Sequence, residues 1–170
     1  MSVLQGSDER LPWPCRARLA SPLPGGYDLA LYFSPQGLAS IELLPGGGPY
    51  FQHQDEGVAR AVHALEVFFQ HSSHTPLSLD LHGTPFQQRV WQALCTIPWG
   101  ETLSYGELAR RLGSSPRAVA GACRANPVPL LVPCHRVTAK QGLGGYMGQS
   151  SGEGLAIKQW LLRHERHGSG

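Results

Sequence analysis

The sequence predicts an α/β protein in two parts, a small antiparallel sheet with one helix followed by a helical domain. Three observations support this fold class. Short apolar segments separated by Pro- and Gly-rich turns occupy the N-terminal region, one amphipathic segment follows them, and helix-capping signals recur after residue 84. We therefore expect an N-terminal α/β domain with a linker at 1–83 and a C-terminal domain at 84–170.

The N-terminal elements follow from turn chemistry and apolar periodicity. Pro24-Gly25-Gly26 and 34–37 are turn sequences, and they separate three predicted strands at Cys15–Leu19, Tyr27–Phe33 and Leu38–Leu43. Apolar residues recur on one face of 55–70, which predicts a helix there. The polar segment 71–83 is typical of a linker.

The C-terminal elements are marked by their helix starts and stops. Thr84 with Gln87, and Ser104 with Glu107, each have the spacing of a capping box, and Gly113 is a natural helix stop. Another helix is predicted from Ser114-Ser115-Pro116 to Ala125, so the pair forms a helix-turn-helix. A last helix is predicted at about 155–165, and we expect this domain to be all-helical and winged-helix-like.

Charge is divided unevenly along the chain of 170 residues. Residues 1–83 hold four Arg against eight Asp and Glu, a net −4, whereas 84–170 hold ten Lys and Arg against four Glu, a net +6. The basic half favours a polyanionic partner, and the alternative is a chance imbalance on solvated surface.

Hydropathy and cysteine usage indicate an intracellular, cytoplasmic protein. No apolar stretch approaches the ~20 residues that span a bilayer, so no membrane partner is expected. The polar Met1–Arg10 segment lacks the apolar core of a signal peptide. Four cysteines without a Cys-x-x-Cys pair are expected to be free thiols.

The strongest chemical signal is the run Pro133-Cys134-His135-Arg136-Val137. A thiol reacts as the thiolate, and neighbouring basic groups lower its pKa. Adjacent side chains on a strand point to opposite faces, so Cys134 and His135 cooperate only across a backbone turn or a water molecule. Glu165 is the candidate that orients the imidazole. The alternatives are an inert buried thiol and a solvated carboxylate.

The second helix of the pair carries small residues between two arginines. We expect Ala118, Ala120, Gly121 and Ala122 to be exposed, with Arg117 at the start and Arg124 near the end. Such a face permits close approach to a partner backbone, which favours DNA contact. The alternative is a packed internal helix with two solvated arginines.

No metal or cofactor is expected. The eight histidines lack the compact Cys/His spacing of a structural zinc site. The Gly-rich segment 142–154 lacks the Gly-Lys-Ser/Thr of a phosphate-binding loop, so it is interpreted as a mobile loop beside the cysteine.

About half the chain, from roughly Phe86 to Glu165, resembles the O6-alkylguanine-DNA alkyltransferase family. The resemblance rests on the run 133–137, Ser104-Tyr105, the Arg117 helix, Asn126-Pro127, Gly145-Tyr146 and the segment 158–165. It implies a ribonuclease H-like N-terminal domain and a methylated-DNA–protein-cysteine methyltransferase that repairs DNA by direct reversal.

The resemblance also implies a mechanism and its residues. Cys134 takes the alkyl group once and irreversibly, His135 accepts the thiol proton through a water molecule, and Glu165 orients His135. Asn126 is the hinge between the recognition helix and the acceptor segment, and Tyr105 helps to protonate the leaving guanine. The implied DNA-binding residues are Arg117, Ala118, Ala120, Arg124 and Tyr105, and the implied pocket residues are Val137, Tyr146, Met147 and Lys158.

The implied partner is double-stranded DNA containing O6-alkylguanine, with O4-alkylthymine as a second substrate, bound by a monomer after base flipping. Two other functions stay open on the residues alone. A non-catalytic helix-turn-helix binder needs no nucleophile at Cys134, and a cysteine hydrolase would turn over repeatedly.

Overall fold

The computed structural model describes residues 11–70 and 77–168. The N-terminal half is a four-stranded antiparallel sheet in the order β3-β2-β1-β4, covered by α1. Its elements are β1 Cys15–Ala20, β2 Tyr27–Ser34, β3 Gly37–Pro45, β4 Phe51–Gln52 and α1 Glu56–Phe69. The three predicted strands and the helix are confirmed. The two-residue β4 was not predicted, because so short a segment carries no periodicity.

Two predictions fall on residues outside the described ranges. These are the polar Met1–Arg10 segment and the part of the proposed linker at 71–76, which contains His71 and His74. Residues 77–83 are described, and Leu79 forms an isolated bridge with Leu38 of β3. This part of the proposed linker therefore lies against the sheet.

The C-terminal half contains the four predicted helices. They are α2 Pro85–Leu94, α3 Tyr105–Leu112, α4 Pro116–Arg124 and α5 Glu153–His167. Thr84 and Ser104 both form complete capping boxes, and the Ser115 side chain accepts from the amide of Ala118. Gly113 ends α3 with a φ of 63°, a left-handed conformation that glycine adopts without strain.

Two features of this half differ from the all-helical expectation. Residues Leu103–Ser104 (β5) pair in parallel with Val137–Thr138 (β6), and Cys134–Arg136 forms one turn of 3-10 helix. The pairing joins segments that lie far apart in sequence, so local periodicity carries no signal for it. This pairing positions the Cys134–Arg136 turn, since β6 begins at the residue that follows it.

The two halves share one apolar core. Buried residues of the sheet and α1 join those of α2, α4 and α5 in a single cluster. The amide of Ile41 in β3 donates to the carbonyl of Pro127 at 2.9 Å, which fixes the segment before Cys134 to the sheet. The domain division at 83/84 stays a prediction. In the two described ranges, no helix is long and apolar enough to cross a membrane.

Candidate active site

Cys134 lies on a turn that hydrogen bonds hold in place. Cys134 opens the 3-10 turn, and its amide donates to Val132 at 2.8 Å. Just before it, Asn126 accepts from the amide of Val128 at 3.0 Å and donates Nδ2 to the carbonyl of Val132 at 2.8 Å. Leu130 inside this loop has a φ of 75°, a strained conformation for a branched residue. Asn126 therefore stabilises the strained loop that carries the cysteine.

A buried hydrogen-bonded cluster lies directly after the cysteine. His135 Nε2 is 2.7 Å from Glu165 Oε1, and both side chains are fully buried. Arg136 donates Nη2 to Glu165 Oε1 at 2.8 Å and Nε to Oε2 at 2.9 Å, with Nη1 on the carbonyl of Ile97 at 2.7 Å. The cluster joins the Cys134–Arg136 turn to α5. This 3-10 turn is the kind of backbone turn that Cys134 and His135 need in order to cooperate.

Electrostatics fix the protonation of this cluster. Burial raises the pKa of Glu165, but the hydrogen bonds and charges of His135 and Arg136 lower it to about 2. Burial lowers the pKa of His135, and the hydrogen bond that its ring donates to Glu165 only partly opposes this. Near neutral pH Glu165 is therefore a carboxylate that accepts Nε2–H from a neutral imidazole. His135 Nδ1 then carries the lone pair, and this buried atom has no hydrogen-bond partner among the residues that the structure describes.

The thiol itself is buried and neutral at rest. Burial raises the pKa of Cys134, while a hydrogen bond from the Asn126 side chain and the charge of Lys158 oppose the rise. Both opposing groups stabilise the thiolate relative to the thiol. The site thus holds a protected thiol with two groups that favour its deprotonated form.

Lys158 is a buried cation between the Cys134–Arg136 turn and the loop 142–152. Its Nζ donates to the carbonyl of Val137 at 2.6 Å and to that of Gly145 at 2.9 Å, and it lies 5.7 Å from the ring centroid of Tyr105. Burial lowers its pKa to about 8. Tyr105 donates its hydroxyl to the carbonyl of Gly145 at 3.4 Å, and burial raises its pKa. These contacts fix the loop over the cysteine.

A cavity of about 300 Å³ connects the thiol with α4. The loop closes one side, where Tyr146 and Gln149 exchange backbone hydrogen bonds of 2.8 and 2.9 Å. The Tyr146 hydroxyl is buried and has no hydrogen-bond partner within residues 11–70 and 77–168. The lining residues are Tyr105, Ala120, Cys123, Arg124, Cys134, Gly145, Tyr146, Met147, Gly148, Gln149 and Ser150.

Not every residue assigned to the pocket lines it. Tyr146 and Met147 do, whereas Val137 and Lys158 do not. Val137 is fully buried in the core because it belongs to the β5–β6 pair, and it contributes its carbonyl to Lys158. His135, Glu165 and Asn126 lie in the protein behind the cavity rather than on its wall.

The outer face of α4 is exposed in part. Arg117, Gly121 and Arg124 are exposed, and Ala118 and Ala120 are half-buried. The expectation that Ala122 is exposed was wrong. Ala122 lies on the buried side of α4, and its carbonyl accepts a hydrogen bond from Trp91 Nε1 at 2.8 Å. A methyl group at Gly121 would meet no atom of the described part of the chain within 4 Å, apart from the neighbouring backbone of α4 itself. The fold therefore does not itself require glycine there.

Two residues of the site were not assigned from the sequence. Arg136 forms an ion pair with Glu165. Its position in the run 133–137, two residues after Cys134, could have indicated that it belongs to the site. Cys123 lines the cavity as a second thiol, and its position one turn after Ala120 on α4 was the signal. Among the described residues, no group of three His, Cys, Asp or Glu side chains is arranged to hold a metal ion.

The fold and site define a helix-turn-helix protein whose buried cysteine faces a cavity beside the second helix. Residues 85–167 match the model of the 6-O-methylguanine DNA methyltransferase DNA-binding domain. Together with the relatives described next, one of which is 43% identical and covered to 72% of its length, this match shows that the chain belongs to this methyltransferase family.

Several relatives carry that similarity. A probable methylated-DNA–protein-cysteine methyltransferase of Acanthamoeba polyphaga mimivirus is 43% identical over 113 residues, 64% of this chain and 72% of the relative. The regulatory protein ada of Salmonella typhimurium is 40% identical over 146 residues, 84% of this chain but 38% of the relative. The crystal structure of the Mycobacterium tuberculosis O6-methylguanine methyltransferase has a TM-score of 0.73 at 34% identity, covering 92% of this chain and 96% of that one.

A second M. tuberculosis structure is a complex with DNA. It has a TM-score of 0.72 at 37% identity and covers 89% of this chain and 92% of that chain. The similarity therefore extends over both halves, including the N-terminal sheet that the family model does not match.

Proposed function

We propose that this protein repairs DNA by transferring an alkyl group from O6-alkylguanine in duplex DNA to Cys134, once per molecule. One observation carries the proposal. The cavity that contains the buried thiol is lined on its other side by Ala120 and Arg124 of the helix-turn-helix, so a base leaving a duplex on α4 has a path to the sulfur. The mimivirus relative and the first M. tuberculosis structure named above bear methyltransferase names.

The proton of the thiol goes to His135. Because Glu165 accepts Nε2–H, Nδ1 of His135 receives the Cys134 proton through a water molecule, and Glu165 stabilises the imidazolium that forms. Asn126 and Lys158 stabilise the thiolate in the interval. Asn126 and Glu165 act as positioning residues, since neither lines the cavity.

The transfer itself is a direct displacement. The sulfur of Cys134 forms a bond to the alkyl carbon as the bond between that carbon and O6 breaks, and the electron pair passes to the guanine ring. Tyr105 lines the cavity and helps to protonate the leaving guanine. A thioether does not readily hydrolyse, so the acceptor is consumed and no dissociable cofactor takes part.

The exposed face of α4 meets the DNA. Its half-buried alanines and Gly121 permit close approach to a narrow minor groove. Arg117 enters the stack where the flipped base was, and Arg124 lies at the cavity. The flipped guanine lies between Tyr146, Met147 and Tyr105. The protein acts as a monomer in the compartment that holds the DNA, and O4-alkylthymine is a second substrate.

The test is the mass of the intact protein after incubation with an O6-methylguanine duplex. We expect one added methyl group per molecule, retained in the Cys95→Ser control, whose thiol is exposed, and lost in Cys134→Ser. Bound DNA without a mass change would leave a non-catalytic binder. Repeated turnover without a mass change would indicate a hydrolase.

A further inference from the structure

The end of α1, an element of the N-terminal half, covers the imidazole of His135. The Phe68 ring lies edge-on to His135, with centroids 6.2 Å apart and planes at 87°, and Phe68 is buried. The same ring contacts Trp99 at 5.2 Å, and the Phe68 carbonyl is 2.8 Å from His164 Nε2 of α5. Ring and backbone of one residue are therefore both fixed against the C-terminal half.

The charged groups around His135 come from elements other than α1. Glu165 and Lys158 interact with it from α5, and Arg136 from its own turn, whereas α1 contributes the uncharged Phe68. Glu165 favours the imidazolium, while the two cations disfavour it. Burial is the largest influence on the pKa of His135, and it lowers that pKa. An apolar ring over the imidazole is one source of that burial.

We infer that Phe68 is a positioning residue for the repair reaction, which shields one side of His135 from bulk water and orients the ring, so that its Nδ1 stays unprotonated until the thiol proton arrives through the bridging water molecule. This inference rests on the proposed function. It assigns the N-terminal half a part in the chemistry, because Phe68, which shields the general base His135, belongs to α1 and not to the helix-turn-helix half. Removal of the ring admits water to the imidazole edge, and solvation favours the charged imidazolium.

The experiment compares Phe68→Ala with the neighbouring Phe69→Ala. Phe69 packs on Trp160 and His164, and within the described parts of the chain it makes no ring contact with His135. Two readouts are taken for each folded variant: the pKa of His135 from its ring-proton resonances during an NMR titration, and the pH dependence of single-turnover methyl transfer.

In Phe68→Ala, we expect the pKa of His135 to rise by about one pH unit, and the acidic limb of the transfer rate to move by a similar amount. Phe69→Ala should leave both values in place. Phe68→Leu keeps an apolar cover and should restore the wild-type profile. Should Phe68→Ala fail to fold, Phe68→Val replaces it, with a smaller shift in the same direction.

An unchanged His135 pKa in the folded Phe68→Ala or Phe68→Val protein would overturn the inference, as would an equal shift in Phe69→Ala. Failure of the proposed function is distinguishable from this result. The wild-type protein would then gain no methyl group at any pH, whereas the NMR titration would still report whether Phe68 controls the protonation of His135.

Discussion

The exposed face of α4 and the turn at Cys134–Arg136 lie about ten residues apart in the chain and are built in opposite ways. On α4, Arg117 and Arg124 have no hydrogen bond or ion pair within the described ranges, and a methyl group at Gly121 would meet nothing nearby. In the turn, His135 and Arg136 are buried and bound to Glu165. The arginines of α4 are thus available to bind a partner, whereas the polar groups of the turn bind one another inside the protein.

This difference separates two kinds of mutational effect. Changes in the buried turn should affect the free energy of unfolding first, because each group there satisfies another. Changes on the α4 face should affect duplex repair while the unfolding free energy is retained. The comparison fails if either region behaves like the other.

The largest effect is expected for Glu165→Gln. The substitution leaves Arg136 buried without a counter-charge, and breaking a buried pair in this way costs about 3–5 kcal/mol of unfolding free energy. Urea unfolding near neutral pH measures it. Glu66→Gln on the exposed side of α1 is the control and should change little. A loss below about 1 kcal/mol would mean that the cluster does not stabilise the fold.

Acid should weaken the wild-type protein through the same cluster. The pKa of Glu165 is lowered from 4.5 to about 2, so its contribution is present above pH 4.5 and is lost as pH falls toward 2. The shift corresponds to about 3 kcal/mol. The lowered pKa of His135 acts in the same direction, with stability lost as pH falls below 6.5. Urea unfolding of Glu165→Gln across this range should show a flatter pH profile, and a profile parallel to wild type would contradict the assignment.

The same contrast explains what could be predicted from the sequence. The ends of α2, α3 and α4 followed from Thr84, Ser104, Gly113 and Ser115, because caps are decided by residues within one turn. The 3-10 turn at Cys134, the β5–β6 pair and the Arg136–Glu165 contact were not found, because distant segments decide them. The burial of Ala122 was missed for the same reason, since its partner Trp91 lies on another helix.

On the α4 face, Arg117→Ala should slow methyl transfer from duplex DNA by about ten- to a hundredfold, the equivalent of a charge-assisted contact of about 1.5–3 kcal/mol. Reaction with free O6-benzylguanine, which needs no base displacement, should change far less. Rates on both substrates, with unfolding measured beside them, test this. Equal losses on the two substrates would show that Arg117 acts on the chemistry or the fold rather than on the duplex.

The smallest change is the sharpest test of the α4 face. Gly121→Ala should raise the unfolding free energy by about 0.5–1 kcal/mol, because alanine favours a helix more than glycine does and its methyl group meets no protein atom. If DNA docks on the α4 face as proposed, the same methyl group lies where the DNA backbone approaches, so repair of duplex DNA should slow while reaction with the free base is retained. Ala59→Gly, at an exposed position inside α1, is the matched control for helix propensity. If Gly121→Ala were more stable and repaired duplex DNA at the wild-type rate, the DNA would have to bind elsewhere. A methyl group at this position can raise the unfolding free energy and yet slow duplex repair only if a partner occupies the open space beside Gly121.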